Sequence, residues 1–411
     1  MFSGVSAALT RARGPFKRAS MRADAFFEQE LARREAAGLR RELRPVESAQ
    51  ETHVVVGGRS VLSLCSNNYL GLATHPAVIE AAARAARDFG VGSGASRLIS
   101  GSMRLHHDLE QRLAAFKGTA SCLLFSSGYH ANLGTIPALV GEGDAVFSDA
   151  LNHASLIDGC RLSRAAVHVY PHADIGALEQ MLRREAARRR LIVTDSIFSM
   201  DGDAAPLREI CALGERCEAM VMVDEAHAAG VLGPHGAGLV EALGLTEQVA
   251  VQMGTLGKAF GCFGAYVAGS GALIAHLINS ARTFIYTTAL PPPVVAAAAA
   301  ALTVVEQEPE RRSALHRNAV RLRDGLRAIG YRIPSGDRHI IPVVIGDTEA
   351  AMHVADALLQ QGVLARGIRP PTVPADTARV RATVMATHTD RDIQEAIEAF
   401  RCVRPIARTP R

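Results

Sequence analysis

An α/β fold is what this sequence predicts, with a mostly parallel central sheet, helices on both faces and a smaller C-terminal α+β part. Three observations carry the prediction. Short apolar runs recur at residues 122–125, 145–147, 167–170, 191–193, 220–223, 249–253 and 265–267. Helical stretches, such as 176–189 and 207–217, separate several of them. Each run ends in a polar or glycine-rich turn. Strands that are apolar on both sides and alternate with helices belong to a sheet covered on both faces, and parallel sheets are of that kind.

Residues 1–22 are rich in Arg and Ala and hold no acid before Asp24. Targeting peptides share that composition; the plainer reading, adopted here, is a frayed tail or an upstream start with Met21 as the true first residue. Residues 26–41 form a charged helical pattern. Val54-Val55-Val56 followed by Gly57-Gly58 reads as a hairpin. The Ala-rich stretch 294–305 follows Pro291-Pro292-Pro293 and reads as a buried helix with proline at its entrance. It is too short to span a bilayer, which takes ~20 residues, so no membrane segment is expected. Residues 306–329 read as one long charged helix, followed by strand, helix, strand, strand and helix, ending near Val403. A single core is not expected at 411 residues. The expected division is a tail, helix and hairpin over 1–65, a large domain over 66–300 and a small domain over 301–411.

The chain is 48% hydrophobic and 21% charged, an ordinary globular composition. Its net charge is +4, with acids and bases spread along it. Nucleic-acid binding, which needs a concentrated basic face, is not expected. The seven Cys are odd in number and lack C-x-x-C spacing, so neither a disulfide framework nor a metal site is expected. Reduced thiols in the cytoplasm fit this usage.

Ligands of open α/β sheets collect at the carboxyl ends of the strands, and four such ends carry reactive residues. After 249–253 comes Gly254-Thr255-Leu256-Gly257-Lys258-Ala259-Phe260-Gly261. Glycines let the backbone approach a ligand, and a partly desolvated lysine among them has a lowered pKa and forms Schiff bases. A surface lysine in a flexible loop is the plain alternative. After 220–223 comes Asp224-Glu225-Ala226-His227. An acid there holds a pyridinium nitrogen protonated, or merely caps a helix. Ser126-Ser127-Gly128-Tyr129 opens a helix after 122–125, where backbone N–H groups and the helix dipole favour a phosphate. Asn152-His153-Ala154-Ser155 offers a histidine able to stack on an aromatic cofactor, although loop histidines are more often structural.

Together these segments form an ordered set: phosphate turn, stacking histidine, ring acid, lysine. The order resembles the fold-type I pyridoxal 5'-phosphate (PLP) transferases. Within them the chain resembles the α-oxoamine synthases from about Leu39 to Phe400. The strings Ser66-Asn67-Asn68-Tyr69-Leu70-Gly71-Leu72, Gly92-Ser93-Gly94 and Ile197-Phe198-Ser199-Met200-Asp201-Gly202-Asp203 carry the resemblance beyond the lysine and aspartate that aminotransferases share.

The resemblance implies a role for each matching residue. Lys258 is the Schiff-base lysine and general base. Asp224 is the partner of the pyridine nitrogen, and His227 that of the phenolic oxygen. His153 stacks on the ring. Ser127, Gly128, Tyr129 and Thr255 lie at the phosphate end, with Ser199 also at the cofactor. Thr288 is a phosphate contact donated by the other subunit of a homodimer. Asn67 and Arg381 face the substrate. Strand alternation puts Arg379 and Arg381 on one face, so pattern alone does not choose between them; family position favours Arg381.

Members of the family differ in amino acid and acyl donor. Ile368-Arg369-Pro370-Pro371-Thr372-Val373-Pro374, together with Arg40, resembles the branch that joins L-alanine to a pimeloyl thioester, on CoA or an acyl carrier protein, in biotin synthesis. The other branches of the family, a plain aminotransferase, and a non-catalytic partner subunit of the same fold are the rivals. Ala228-Ala229 and Cys262-Phe263 depart from common family residues and are expected to alter pocket volume.

Overall fold

The computed structural model describes residues 17–336 and 338–403. The chain divides into two compact units, Met1–Val46 and Glu47–Arg411. In the first, a helix spans Lys17–Ala36. It begins earlier and ends earlier than the pattern at 26–41 suggested. Gly38 takes a left-handed φ of 64°, and the N–H groups of Gly38 and Leu39 bond to the carbonyls of Glu35 and Arg34 at 2.9 and 2.7 Å. Such a turn closes a helix because glycine adopts that conformation without a Cβ penalty. Arg40 follows it, paired with Glu35 at 3.2 Å. Most of the tail at 1–22 lies outside the described residues.

The second unit begins with the expected hairpin, β1 (His53–Val56) and β2 (Arg59–Ser63). Gly57 and Gly58 turn it with φ of 58° and 71°, the handedness that matches strand twist. The central sheet comprises β3 (Ser121–Phe125), β4 (Ala145–Asp149), β5 (Ala166–Tyr170), β6 (Arg190–Asp195), β7 (Ala219–Asp224), β8 (Val251–Thr255) and β9 (Ala265–Gly269). Its order is β3-β9-β8-β7-β6-β4-β5. β5, β4, β6, β7 and β8 pair in parallel, whereas β9 is antiparallel to both β8 and β3.

Side chains alternate across this sheet as the pleat requires. Val146, Val193, Met222 and Val251 pack with Ala131, Ile136 and Leu156 on one face. Phe147, Ile192, Val221 and Val223 pack with Leu178, Leu207 and Ile210 on the other. Helices therefore cover both faces.

The remaining strands are β10 (Ile340–Gly346), β11 (Val363–Leu364), β12 (Arg366–Ile368) and β13 (Ala378–Thr383). β10, β13 and β12 form an antiparallel sheet. β11 instead joins β2 in parallel, which turns the hairpin into a three-stranded sheet. The helices expected over 294–305 and 306–329 are both present, with the boundary between them a few residues later. One helix spans Pro292–Gln307 and the next Glu310–Ala328. Pro309 stands between them; it lacks an N–H and clashes with the preceding turn, so the first helix stops. The predicted helix 176–189 is shorter, Ile175–Arg184, because Glu185 is already extended toward β6. One apolar cluster joins Leu62, Tyr69, Leu256, Leu302, Leu322, Val380 and Phe400, so residues far apart in the chain share a core.

Two contacts lock loops at the sheet's carboxyl edge. Gly261 has a φ of 64° and lies against the segment after Tyr69. A Cβ there would stand 2.3 Å from the Ala73 nitrogen and 2.6 Å from the Leu72 carbonyl carbon. His172 bridges Asp149 at 3.0 Å and Asp203 at 2.7 Å, and its ring meets Phe198 edge-on at 4.4 Å. The carboxylate of Asp149, then that of Asp203, raise the His172 pKa to about 10.

Gly261→Ala should therefore lower stability by more than about 2 kcal/mol, read as a lower denaturant midpoint, because both the conformation and backbone overlap oppose it. An unchanged midpoint would contradict the close approach. The raised His172 pKa has a sign. The imidazolium adds stability fully below the ordinary pKa of about 6.5, and that stability drains away as pH rises toward about 10. His172→Gln should thus lower the denaturation midpoint at pH 6, with the gap to the native protein closing by about pH 10. A gap that is constant with pH would assign His172 a packing role alone.

Candidate active site

The carboxyl ends of β4, β6, β7 and β8 lie side by side because the strands pair in parallel. Register places Asp195 of β6 opposite Asp224 of β7, and Asp224 opposite Met253 of β8. Beyond these ends is a cavity of about 150 Å3, lined by Gly128, Tyr129, His153, Ser155, Asp195, Asp224, Ala226, His227, Met253, Thr255 and Lys258. The phosphate turn, the loop histidine, the strand-end acid and the lysine thus meet in one place.

Lys258 is half-buried, and its Nζ lies 2.8 Å from His227 Nε2. Burial first, partly countered by Asp224 and Asp195, brings its pKa down to about 8. About a tenth of it is free amine at pH 7, hundreds of times more than for an ordinary lysine. His227 is buried, and burial, then the Lys258 and Arg381 charges, hold it well below the usual range, so the ring is neutral. Its Nδ1 meets the Tyr69 hydroxyl at 2.8 Å. Tyr69 in turn donates to Asn67 Oδ1 at 3.0 Å, and Arg381 Nη2 reaches the same oxygen at 3.4 Å.

Asp224 is 3% exposed. One of its oxygens accepts from Asn132 Nδ2 at 2.8 Å and the other from the Ala226 N–H at 2.9 Å. Asn132 also bonds Ser155 Oγ at 2.9 Å, so the carboxylate is held by two helices and its own strand. Asp195 is buried and accepts the His153 N–H at 2.7 Å. Burial and then the adjacent Asp224 push its pKa well up. His153 caps the helix Ala154–Ser163 through Nδ1.

At the other end of the cavity, Ser127 caps the helix Gly128–Leu139. A Cβ on Gly128 would stand 3.7 Å from Met253 Cε and 3.9 Å from Thr255 Cβ, filling space that glycine leaves open. Thr255 donates to the Gly264 carbonyl at 3.1 Å. Tyr129 bonds Asp158 through its hydroxyl. A helix start, a glycine cradle and hydroxyls at one end, with an anchored carboxylate and an amine of lowered pKa at the other, form a donor set suited to a phosphorylated pyridine aldehyde.

The two arginines of β13 are distinguished by their partners. Arg379 is paired with Asp201 and also donates to Thr377 O at 2.9 Å. Arg381, buried, donates to the Ser199 carbonyl at 2.6 Å and to Asn67. Among the described residues, no carboxylate neutralises Arg381. Ser199 thus meets Arg381 through its backbone and does not line the Lys258 cavity. Thr288 does not line it either; it forms a bridge with Ser96 and borders a cleft that includes Arg97, Ser126 and Phe284. Arg40 belongs to the other compact unit.

Ala228 and Ala229 are packed in apolar clusters and Phe263 is exposed, so neither departing pair lines this cavity. Sequence reasoning did not single out Asp195, Asn132 or Tyr69. The strand-end rule would have found Asp195, the last residue of β6.

The family model for aminotransferase class I and II matches residues 59–400. An 8-amino-7-oxononanoate synthase from Anaeromyxobacter dehalogenans is 54% identical over 92% of this chain and 94% of its own. One from Geobacter metallireducens is 52% identical over 90% and 96%. Among solved structures, serine palmitoyltransferase from S. paucimobilis with bound PLP superposes with a TM-score of 0.88 at 34% identity, covering 93% of this chain and 98% of that one. The corresponding values for 8-amino-7-oxononanoate synthase from Francisella tularensis are 0.73, 28%, 83% and 97%. The chain belongs to the aminotransferase class I and II family and, within it, to the α-oxoamine synthases.

Proposed function

We propose that this protein is a PLP-dependent acyltransferase that condenses L-alanine with a pimeloyl thioester, releasing carbon dioxide and the thiol carrier, to give 8-amino-7-oxononanoate for biotin synthesis. The observation that carries the reading is Lys258, an amine with a pKa of about 8 in one cavity with Asp224 and His153. Relatives at 50–54% identity bear the name of this activity, whereas the neighbours named serine palmitoyltransferase stand at 33–35%. The greater likeness over a similar span favours the first substrate pair.

PLP, when bound, supplies an aldehyde that condenses with amines and a ring that accepts the electron pair left at the amino acid's α carbon. The protein's residues do the rest. Lys258 Nζ would hold the cofactor, and its free amine would take the α proton as general base. Asp224 keeps the ring nitrogen protonated, with Asn132 and the Ala226 N–H fixing the carboxylate. His227 would bond the phenolic oxygen, and His153 would cover the ring. Ser127, Gly128, Tyr129 and Thr255 hold the phosphate end, with Ser199 backing the Arg381 side. Arg381 grips the substrate carboxylate with help from Asn67, since Asp201 already occupies Arg379. Arg40 serves the acyl substrate.

A homodimer belongs to the same reading. Leu98, Ile99 and Tyr286 are 50%, 79% and 71% exposed beside the Ser96–Thr288 bridge, an apolar surface suited to a second copy. That copy would bring its Thr288 to the phosphate end. Residues 66–300 act as the large domain and 301–411 as the small one, which carries Arg381. No described helix is long and apolar enough to cross a membrane. No disulfide joins the cysteines of the described residues, which suits the cytoplasm, where thiols stay reduced.

Purified protein with PLP and L-alanine should release free thiol from pimeloyl-CoA and little from acetyl-, succinyl- or palmitoyl-CoA. Preference for glycine or serine with another acyl chain would move the assignment to a sister activity; pyruvate formation without thiol release would make it an aminotransferase. Lys258→Ala should abolish the lysine-bound cofactor absorbance and lower turnover by at least about a thousandfold, the scale of losing both nucleophile and base. Arg381→Gln should raise the KM for alanine by about tenfold to a hundredfold, the worth of a charged hydrogen-bond pair; an unchanged KM would return the role to Arg379.

A further inference from the structure

The chain Lys258–His227–Tyr69–Asn67–Arg381 has a direction that its chemistry fixes. A guanidinium only donates, so the Asn67 atom facing Arg381 at 3.4 Å is the amide oxygen. That oxygen only accepts, so the Tyr69 hydroxyl proton points to it across 3.0 Å. The Tyr69 oxygen therefore offers only lone pairs to His227 Nδ1 at 2.8 Å, and the proton of the neutral ring sits on Nδ1. Nε2 is left with a lone pair facing Lys258 Nζ at 2.8 Å. Tyr69 cannot swing out of this arrangement. It is fully buried, His339 meets its ring edge-on at 4.1 Å, and its carbonyl accepts from the Ala386 N–H at 2.7 Å.

We propose that, before the cofactor arrives, Tyr69 is a positioning residue that holds His227 in the Nδ1–H tautomer, so that Lys258 donates an N–H to Nε2 and turns its own lone pair toward the cavity. The proposal rests on the reading of Lys258 as the PLP-binding amine. With the other tautomer, Nε2–H would donate to the amine and occupy the electron pair that must attack a carbonyl carbon. Tyr69 thereby acts on the nucleophile through His227 without touching it. Burial also raises the Tyr69 pKa, which keeps the phenol protonated and the direction of the chain intact.

The test uses the full-length chain freed of PLP, with 15N-labelled histidine rings, at pH 9, where Lys258 is mostly neutral. The His227 signals are identified by their loss in His227→Gln. The native protein should show a protonated Nδ1 and an unprotonated Nε2. Tyr69→Phe removes the acceptor for Nδ1–H and should move the proton to Nε2. Asn67→Leu keeps the phenol but removes its acceptor; the hydroxyl then turns to Nδ1, and the same shift is expected. Both variants should capture added PLP about tenfold more slowly than the native protein, the scale of one misplaced hydrogen bond, followed as growth of visible absorbance. If Tyr69→Phe does not fold, Asn67→Leu carries the test. A native His227 protonated at Nε2, or variants that keep the native tautomer, would overturn the proposal. Failure of the native protein to capture PLP at all would instead refute the cofactor reading, and the ring signals would still report on the tautomer.

Discussion

Parallel pairing of β4, β6, β7 and β8 is the constraint from which the site follows. Strands that run the same way end on the same side, so their loops converge without any contact between those loops being required. The cost is electrostatic. Asp195 and Asp224 end neighbouring strands in the same register, and two buried carboxylates so placed do not both ionise readily. Burial first, and then the charge of Asp224, raise the pKa of Asp195. Asp195 takes the His153 N–H, while Asp224 takes Asn132 and Ala226. Two acids of one residue type thus acquire different surroundings within one sheet edge.

Behind Asp224 stands a buried ion pair. Lys117 and Glu225 are 1% and 0% exposed in their side chains. Glu225 also accepts the Val240 N–H at 3.0 Å, and its own N–H bonds the Met253 carbonyl at 2.7 Å. A buried pair gains little net stability once desolvation is counted. Its effect here is positional: the residue between Asp224 and Ala226 is tied to β8, to the helix Arg104–Lys117 and to the helix Leu239–Leu243. The segment carrying Asp224 and His227 therefore has little freedom to shift relative to Lys258, and the 2.8 Å contact between His227 and Lys258 depends on that rigidity.

What the sequence made legible follows from how local each signal is. The central strands were readable because a strand buried on both faces is apolar at every position, and that needs no knowledge of its neighbours. β11 was not readable; two residues carry no periodicity, and its pairing with β2 is a tertiary event. Both C-terminal helices were readable, but the charged pattern begins at Glu306 and runs on across Pro309, so the boundary between them was read a few residues early. In the site, Lys258, Asp224, His153 and Gly128 stood at strand ends and announced themselves. Tyr69 did not, because a tyrosine in an apolar string looks like core. Its function lies in a hydroxyl whose partner His227 is 158 positions away. Asn132 was hidden in the same way, one turn inside a helix whose interest seemed to end at its N-terminus.

The two arginines of β13 show where pattern stops and chemistry begins. Alternation puts Arg379 and Arg381 on one face, and both are buried. Composition and period treat them alike. Their difference lies in what the loop 197–203 presents to each. Asp201 meets Arg379 with a full negative charge and neutralises it. One turn of the same loop offers Arg381 only the Ser199 carbonyl, a dipole that orients the guanidinium without cancelling its charge. A buried cation left with neutral partners is costly unless an anion completes it. Arg381 also lowers the pKa of both Lys258 and His227. An arriving carboxylate would relieve that cost and weaken that influence together, so its binding at Arg381 would be felt at Lys258 through the field as well as through Asn67 and Tyr69.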